Sequence, residues 1–189
     1  TSGNPPFDIL SQVSSYTSTS PVPNPNTLYV IFAGANNVKD VLEAAAVNPA
    51  NADTIAATAI QQGVSDLHTA LDRLAAFGAK QVVVPNVPNI GLSPLATQLG
   101  PSVAAVATGL TAAYDQALDM MLDQENRLQI IRFDSFSFLN TVAAHPTRFG
   151  LTNVTDACYS GDDLSFTGRG RVCSSPGSYF FWDEYHPTA

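Results

Sequence analysis

Basic residues are scarce in this sequence. Eight lysines and arginines stand against sixteen aspartates and glutamates among 189 residues, leaving a formal net charge of −8. No Lys/Arg cluster exists to follow a phosphate backbone, so nucleic acid is not an expected partner. The same charge disfavours an anionic membrane surface. Long apolar runs are also missing; none approaches the roughly 18 residues of a membrane helix, and no transmembrane segment is expected. A charged n-region followed by an apolar core, the mark of a secretory leader, is absent, and the sequence opens on Thr1 rather than Met. The expectation is that a leader has been removed or that these residues are a piece of something longer. Cysteine is rare too. Cys158 and Cys173 lie fifteen apart with no C-x-x-C or Cys/His group around them, which argues against zinc. They are either two free thiols or one disulfide. The polar, Gly-rich GDDLSFTGRGRV between them favours the disulfide, which would stabilise by roughly 3 kcal/mol on the loop-entropy model and imply an oxidising compartment. Asn153-Val154-Thr155 is an N-glycosylation sequon. With the cysteines and the low charge, it tilts the expected location towards secreted or extracytoplasmic.

What is present is a sequence with an ordinary 45% of hydrophobic residues, enough for one domain with a real core. Apolar residues at 9, 10, 13 and 16 predict a short amphipathic helix over 7–16, followed by the turn-rich SPVPNPN. Three apolar runs read as buried strands: LYVIFA (28–33), QVVVP (81–85) and LQIIRF (128–133). Helices are expected over 38–47, from an Asp53 cap to Phe77 with Gly78 as C-cap, and from a Ser102 cap with Val103, Val106, Leu110, Tyr114, Ala117 and Met121 on one side. A further helix, capped by Asp134 or Ser135 and carrying Phe138, Leu139 and Val142, should stop before Pro146. The remainder reads as loop until Phe181-Trp182. Apolar strands alternating with helices predict a doubly wound α/β domain whose parallel sheet is covered on both faces. Ligands in such folds bind beyond the carboxyl ends of the strands, so the loops opening at Gly34, Asn86 and Asp134 should line the site.

Two patterns carry chemistry. Asp183 stands three residues before His186, which precedes Pro187. Asp183 can receive the Nδ1–H of His186 and leave Nε2 free as a general base; a surface loop with both residues by chance is the plainer reading. GANN (34–37) follows the first strand. Its asparagine is either an oxyanion-hole donor or a helix cap.

Together the segments AGANNV, VPNVPNIGLSP, RFGLTNVTDAC and FWDEYHPT, in that order, resemble the SGNH (GDSL-type) hydrolases. The likeness is greatest to the secreted lipase/esterase branch that includes the autotransporter esterases, and it covers nearly the whole chain. The resemblance implies a three-layer α/β/α, flavodoxin-like fold forming a single domain. It implies His186 and Asp183 as catalytic base and acid, Asn36 as oxyanion donor, and Gly34, Asn37, Asn86 and Pro88 along the cleft. Asn37 departs from the aspartate of the family's GxND block. The nucleophile block GDS and a second oxyanion block should precede Gly34, and neither does. Gly161-Asp162-Asp163-Leu164 resembles GDSL but lies between the cysteines with no strand before it, so it reads as a restrained loop. Ser2 lacks a strand–turn–helix elbow. Ser11, Ser14 and Ser15 read as a helix's polar face, Ser93 and Ser102 as turn and cap, His68 and His145 as structural. The expectation is therefore that the nucleophile is not in this chain. The first β-α-β of the fold and a final helix are expected to be missing, leaving both ends truncated. The implied reaction is hydrolysis of a lipid or short-chain acyl ester, with no metal or cofactor and with the missing N-terminal segment as a partner. The alternatives are a catalytically inactive ligand-binding domain and an acyltransferase on the same scaffold.

Overall fold

The computed structural model describes residues 7–19, 23–24, 26–161 and 169–188. It divides into two compact units: Thr1–Val87 with Leu110–Ser135, and Pro88–Gly109 with Phe136–Ala189.

The first unit is built on a parallel sheet of three strands, β1 (Leu28–Val30), β2 (Gln81–Pro85) and β3 (Gln129–Phe133), in the order β1-β2-β3. Tyr29 pairs with Val82 and Val82 with Ile130, so alternate residues of the three strands share a face. Helices α1 (Ile9–Thr19), α2 (Ala35–Val47) and α3 (Ala52–Phe77) belong to this unit, and α3 packs against both others. In α3, Leu67, Leu71 and Leu74, spaced four and three apart, are buried on one side, and Gly78 closes the helix in the left-handed conformation, as expected. Full burial of each leucine contributes about 2 kcal/mol. Asp53 is not the cap: the N-cap is Asn51, and Asp53 sits in the first turn, where its charge favours the helix dipole.

The sheet differs from expectation on one face. Tyr29, Ile31, Val82 and Val84 are buried, but Leu28, Val30 and Phe32 of the first run are 52%, 63% and 58% exposed, and Ile131 and Phe133 of β3 are exposed as well. Cover on both sides was expected from the continuous apolar runs; among the described residues one face has it.

A second correction concerns α5 (Pro101–Leu122), which follows α4 (Pro94–Gln98). Its buried side is Ala107, Thr111, Tyr114, Asp115, Leu118 and Leu122, while Val106 is exposed. Two polar residues in that stripe, Thr111 and Asp115, displaced the expected face. Ser102 lies within the first turn rather than at the cap.

In the second unit, α6 (Ser135–Ala144) ends as expected before Pro146, and a short 3-10 turn, Pro146–Phe149, follows. The segment expected to be loop contains β4 (Asn153–Ala157), β5 (Tyr159–Ser160), β6 (Arg171–Val172) and β7 (Tyr179–Phe181). β4 pairs in parallel with β7, and β5 with β6 antiparallel. Strands of two to five residues with few aliphatics leave little period to read. Their core is Val142, Phe180 and Phe181, with Leu92, Leu139, Leu151 and Val154 packed around it. Cys158 and Cys173 form a disulfide, as expected. Asp162, Asp163 and Leu164 of the GDSL-like tetrapeptide lie outside the described residues.

Candidate active site

The Asp183–His186 pair is made by the chain folding back on itself just after β7. The Trp182 N–H donates to the His186 carbonyl at 2.7 Å, closing a tight turn. Inside it, Asp183 Oδ1 accepts the backbone N–H groups of Tyr185 (2.8 Å) and His186 (2.7 Å). The imidazole Nδ1 of His186 lies 3.0 Å from Oδ1 and 2.8 Å from Oδ2 of the same carboxylate. The side chain of Asp183 is 4% exposed and that of His186 is 70% exposed. Burial opposes ionisation of Asp183, but the N–H groups of His186 and Tyr185 and the imidazole outweigh it, holding the carboxyl below its ordinary value. A carboxylate fixed on Nδ1 selects the tautomer that leaves Nε2 as acceptor. Nε2 has no hydrogen-bond partner among the described residues and faces solvent. Thr188 N–H donates to the Phe180 carbonyl at 2.9 Å, and Leu95 N–H donates to the Glu184 carbonyl at 3.3 Å, so the turn is held from two sides.

The other sequence candidates divide between the units. Gly34 is buried at φ +124° and begins α2; a Cβ there would lie 2.5 Å from Val87 and 2.6 Å from Tyr114. Asn36, in the first turn of α2, is exposed, and its neighbour Asn37 is buried. A Cβ on Gly63 of α3 would lie 2.9 Å from Asn37 Nδ2, so α2 and α3 approach closely there. Asn86 follows β2 directly: its Nδ2 donates to Asp134 Oδ1 at 3.1 Å, and Ser135 Oγ donates to its Oδ1 at 2.9 Å. It borders a cleft of about 290 Å³ with Leu118, Arg132, Phe133 and Asp134. Pro88 is half-buried in the second unit. Asn153 begins β4 with its Nδ2 donating to Asp156 Oδ2 at 2.7 Å. The structure thus joins Asp183 to His186 in one unit and puts Gly34, Asn36, Asn37 and Asn86 in the other.

Three features escaped the sequence reading. Asp115 is 7% exposed; its Oδ1 accepts the Val87 N–H at 2.8 Å, and its Oδ2 has no partner among the described residues. Burial, opposed by that N–H and reinforced by Asp119 and Asp134, pushes its pKa up to about 7. Its signal was a lone acid on a helix's apolar side. Asn89 is buried as the N-cap of a 3-10 turn, Ile90–Leu92, accepting from Gly91 N–H and Thr108 Oγ1 and donating to Asn140. Trp182 stacks on Tyr159, with ring centroids 5.6 Å apart. His68, Asp72 and Glu125 bring ligand atoms within 4.8 Å of one another, but Arg127 pairs with both carboxylates, so the group is an ion-pair network.

These features define an α/β protein with a three-strand parallel sheet and a hydrogen-bonded Asp–His pair with an open imidazole nitrogen. The chain belongs to the GDSL-like lipase/acylhydrolase family, the SGNH hydrolases, which it matches over residues 4–189. It is 28% identical over 132 residues to the Arabidopsis thaliana GDSL esterase/lipase At1g74460, covering 65% of this chain and 36% of that protein. The likeness to GDSL esterase/lipase At4g16230 of the same plant is 27% over 138 residues, 66% of this chain and 38% of the relative. To GDSL esterase/lipase At5g45950 it is 28% over 121 residues, 59% and 34%. The matches therefore span well under half the length of these relatives.

Proposed function

We propose that this chain carries the acid–base pair and an oxyanion donor of a secreted or extracytoplasmic serine esterase acting on lipid or short-chain acyl esters. The observation that carries the reading is the Asp183–His186 geometry, with the carboxylate on Nδ1 at 2.8 Å and Nε2 open to solvent. His186 takes the proton of a serine hydroxyl as it attacks the acyl carbonyl. Asp183 holds the tautomer and stabilises the imidazolium. Asn36 supplies a side-chain N–H to the oxyanion, an interaction whose loss typically costs about 100- to 1000-fold in rate. His186 then returns the proton to the leaving alcohol, and water releases the acid.

In this reading the serine lies on a segment outside residues 1–189. The exposed apolar sheet face at Leu28, Val30, Phe32, Ile131 and Phe133, and the side of edge strand β1 that pairs with no strand among the described residues, support such a segment as a cover. The length of the family relatives supports it as well.

The test is His186→Ala in a longer polypeptide that includes the upstream segment, assayed on short-chain nitrophenyl esters. A loss of about 10³-fold or more is expected; near-unchanged turnover sinks the assignment. On residues 1–189 alone, a fluorophosphonate probe should label no serine, and one labelled serine within them overturns the placement of the nucleophile.

A further inference from the structure

The turn that carries Asp183 and His186 is short, and its histidine is exposed. Its own hydrogen bonds close it but do not fix its attachment to the rest of the unit. Beside the Leu95 bond to Glu184, that attachment runs through β5 and the residue before it. Cys158 N–H donates to the Phe181 carbonyl at 3.0 Å and Tyr159 N–H to the Trp182 carbonyl at 2.6 Å, so the residue next to Asp183 hangs on this strand. The Tyr159 and Trp182 rings stack with only 12° between their planes.

Tyr159 is in turn held from the hairpin's other arm. Gly170 N–H donates to Tyr159 Oη at 3.2 Å. A Cβ on Gly170 would come within 2.3 Å of the ring's Cζ, so the backbone of Gly170 lies directly against it. β5 and β6 have two residues each. A two-stranded ribbon of that size is marginal on its own. The disulfide between Cys158 and Cys173, with the Cys173 N–H donating to the Cys158 carbonyl at 2.7 Å, holds the arms together.

We propose that the disulfide-closed β5–β6 hairpin positions the Asp183–His186 pair, with Gly170, Tyr159 and Trp182 as the path of contact. Tyr159 and Trp182 are positioning residues: they act on the pair through the Trp182 backbone that precedes it. The disulfide is then part of the site's pre-organisation rather than only a staple on a loop. Leu95, which holds Glu184 from the other side, keeps the turn partly in place without the hairpin, so loosening the hairpin weakens the pair rather than abolishing it. The purpose of this positioning rests on the esterase reading, but the positioning itself is read from the imidazole tautomer, and ester turnover serves only to separate the two.

The experiment is carried out on residues 1–189 and reads the ring nitrogens of His186 by ¹⁵N NMR at a pH where the imidazole is neutral, alongside emission from Trp182, the single tryptophan. Dithiothreitol reduction transfers two electrons and two protons, giving two thiols and the oxidised reagent. It is expected to lower the ratio of Nδ1–H to Nε2–H tautomer by about threefold or more, the scale of one weakened hydrogen bond, and to shift the Trp182 emission to the red. Gly170→Ala leaves the disulfide intact but drives a methyl into Tyr159, and is expected to produce the same two changes. Amide shifts of the three-strand sheet serve as the folding control. If reduction unfolds the second unit, Gly170→Ala decides alone. The inference is overturned if Gly170→Ala displaces the Tyr159 ring without moving the tautomer ratio, or if reduction lowers Tm and leaves the ratio unchanged. A shifted ratio together with unchanged ester turnover in the longer His186→Ala protein keeps the positioning and removes the esterase reading. An unshifted ratio with lost turnover does the reverse.

Discussion

Asp115 is the residue whose environment is most at odds with its chemistry. It is enclosed beside Tyr114 and Leu118, and among the described residues only Oδ1 has a partner, the Val87 N–H. Its pKa stands at about 7 in the folded chain against an ordinary value of 3.8. Below pH ~3 the carboxyl is largely neutral in both folded and unfolded states and contributes little pH dependence. Between about 4 and about 7 the unfolded chain releases the proton while the folded chain keeps it, so stability falls as pH rises. Above about 7 the whole penalty is present. Asp115→Asn keeps an acceptor for Val87 and removes the charge. It should match the parent protein near pH ~3 and exceed its stability at pH ~8 by roughly 2–4 kcal/mol, read as urea midpoints at the two pH values; an equal difference at both would refute the account. Gly34 makes the opposite kind of prediction. At φ +124°, with Val87 2.5 Å from any added Cβ, Gly34→Ala should cost about 2–4 kcal/mol in thermal or urea unfolding. At this scale the sequence was informative where chemistry is local. Asp183 and His186 are three apart, and one turn suffices to join them. Asp115 was not legible, because its partner is the backbone of Val87, 28 residues away, and no pattern of side chains announces a backbone N–H.

Among the elements, legibility followed the apolar pattern: the five-residue β2 is QVVVP, the equally long β4 is NVTDA. The 26-residue α3 and the five-residue β2 were plain from periodicity and apolar runs. The face of α5 was misplaced because its buried stripe includes Thr111 and Asp115, and burial of polar groups is decided by partners rather than by period. The strands β4 to β7 were missed because short pairs owe their existence to what they pack on, Phe180, Phe181 and the disulfide, rather than to their own propensity. The disulfide itself closes a separation of fifteen residues. Replacing both cysteines by serine should therefore lower stability by about 3 kcal/mol on the loop-entropy model, measured as the denaturant midpoint of the oxidised parent against the double variant. An unchanged midpoint would place the bridge outside the cooperatively folded part of the second unit.

For the molecule as a whole, the exposed sheet face is the fact that a buried-strand reading of the sequence could not anticipate. An apolar run means burial only if something covers it, and the cover is a long-range matter. Leu28, Val30, Phe32, Ile131 and Phe133 form an apolar set on a protein whose net charge is −8, and apolar patches of this kind are where association begins. Two situations make opposite predictions for one pair of substitutions, Val30→Glu with Ile131→Lys. In residues 1–189 both side chains are already exposed, at 63% and 39%. The pair should then change unfolding stability by less than about 1 kcal/mol while lowering concentration-dependent association, as read by sedimentation. In a longer polypeptide whose additional segment covers this face, the same two charges would be buried. The pair should then destabilise by about 3 kcal/mol or more and remove the proposed esterase activity with the fold. A longer protein as tolerant of the pair as residues 1–189 would mean that the segment carrying the serine does not dock on this face, and the proposed origin of the nucleophile would have to be sought on another surface.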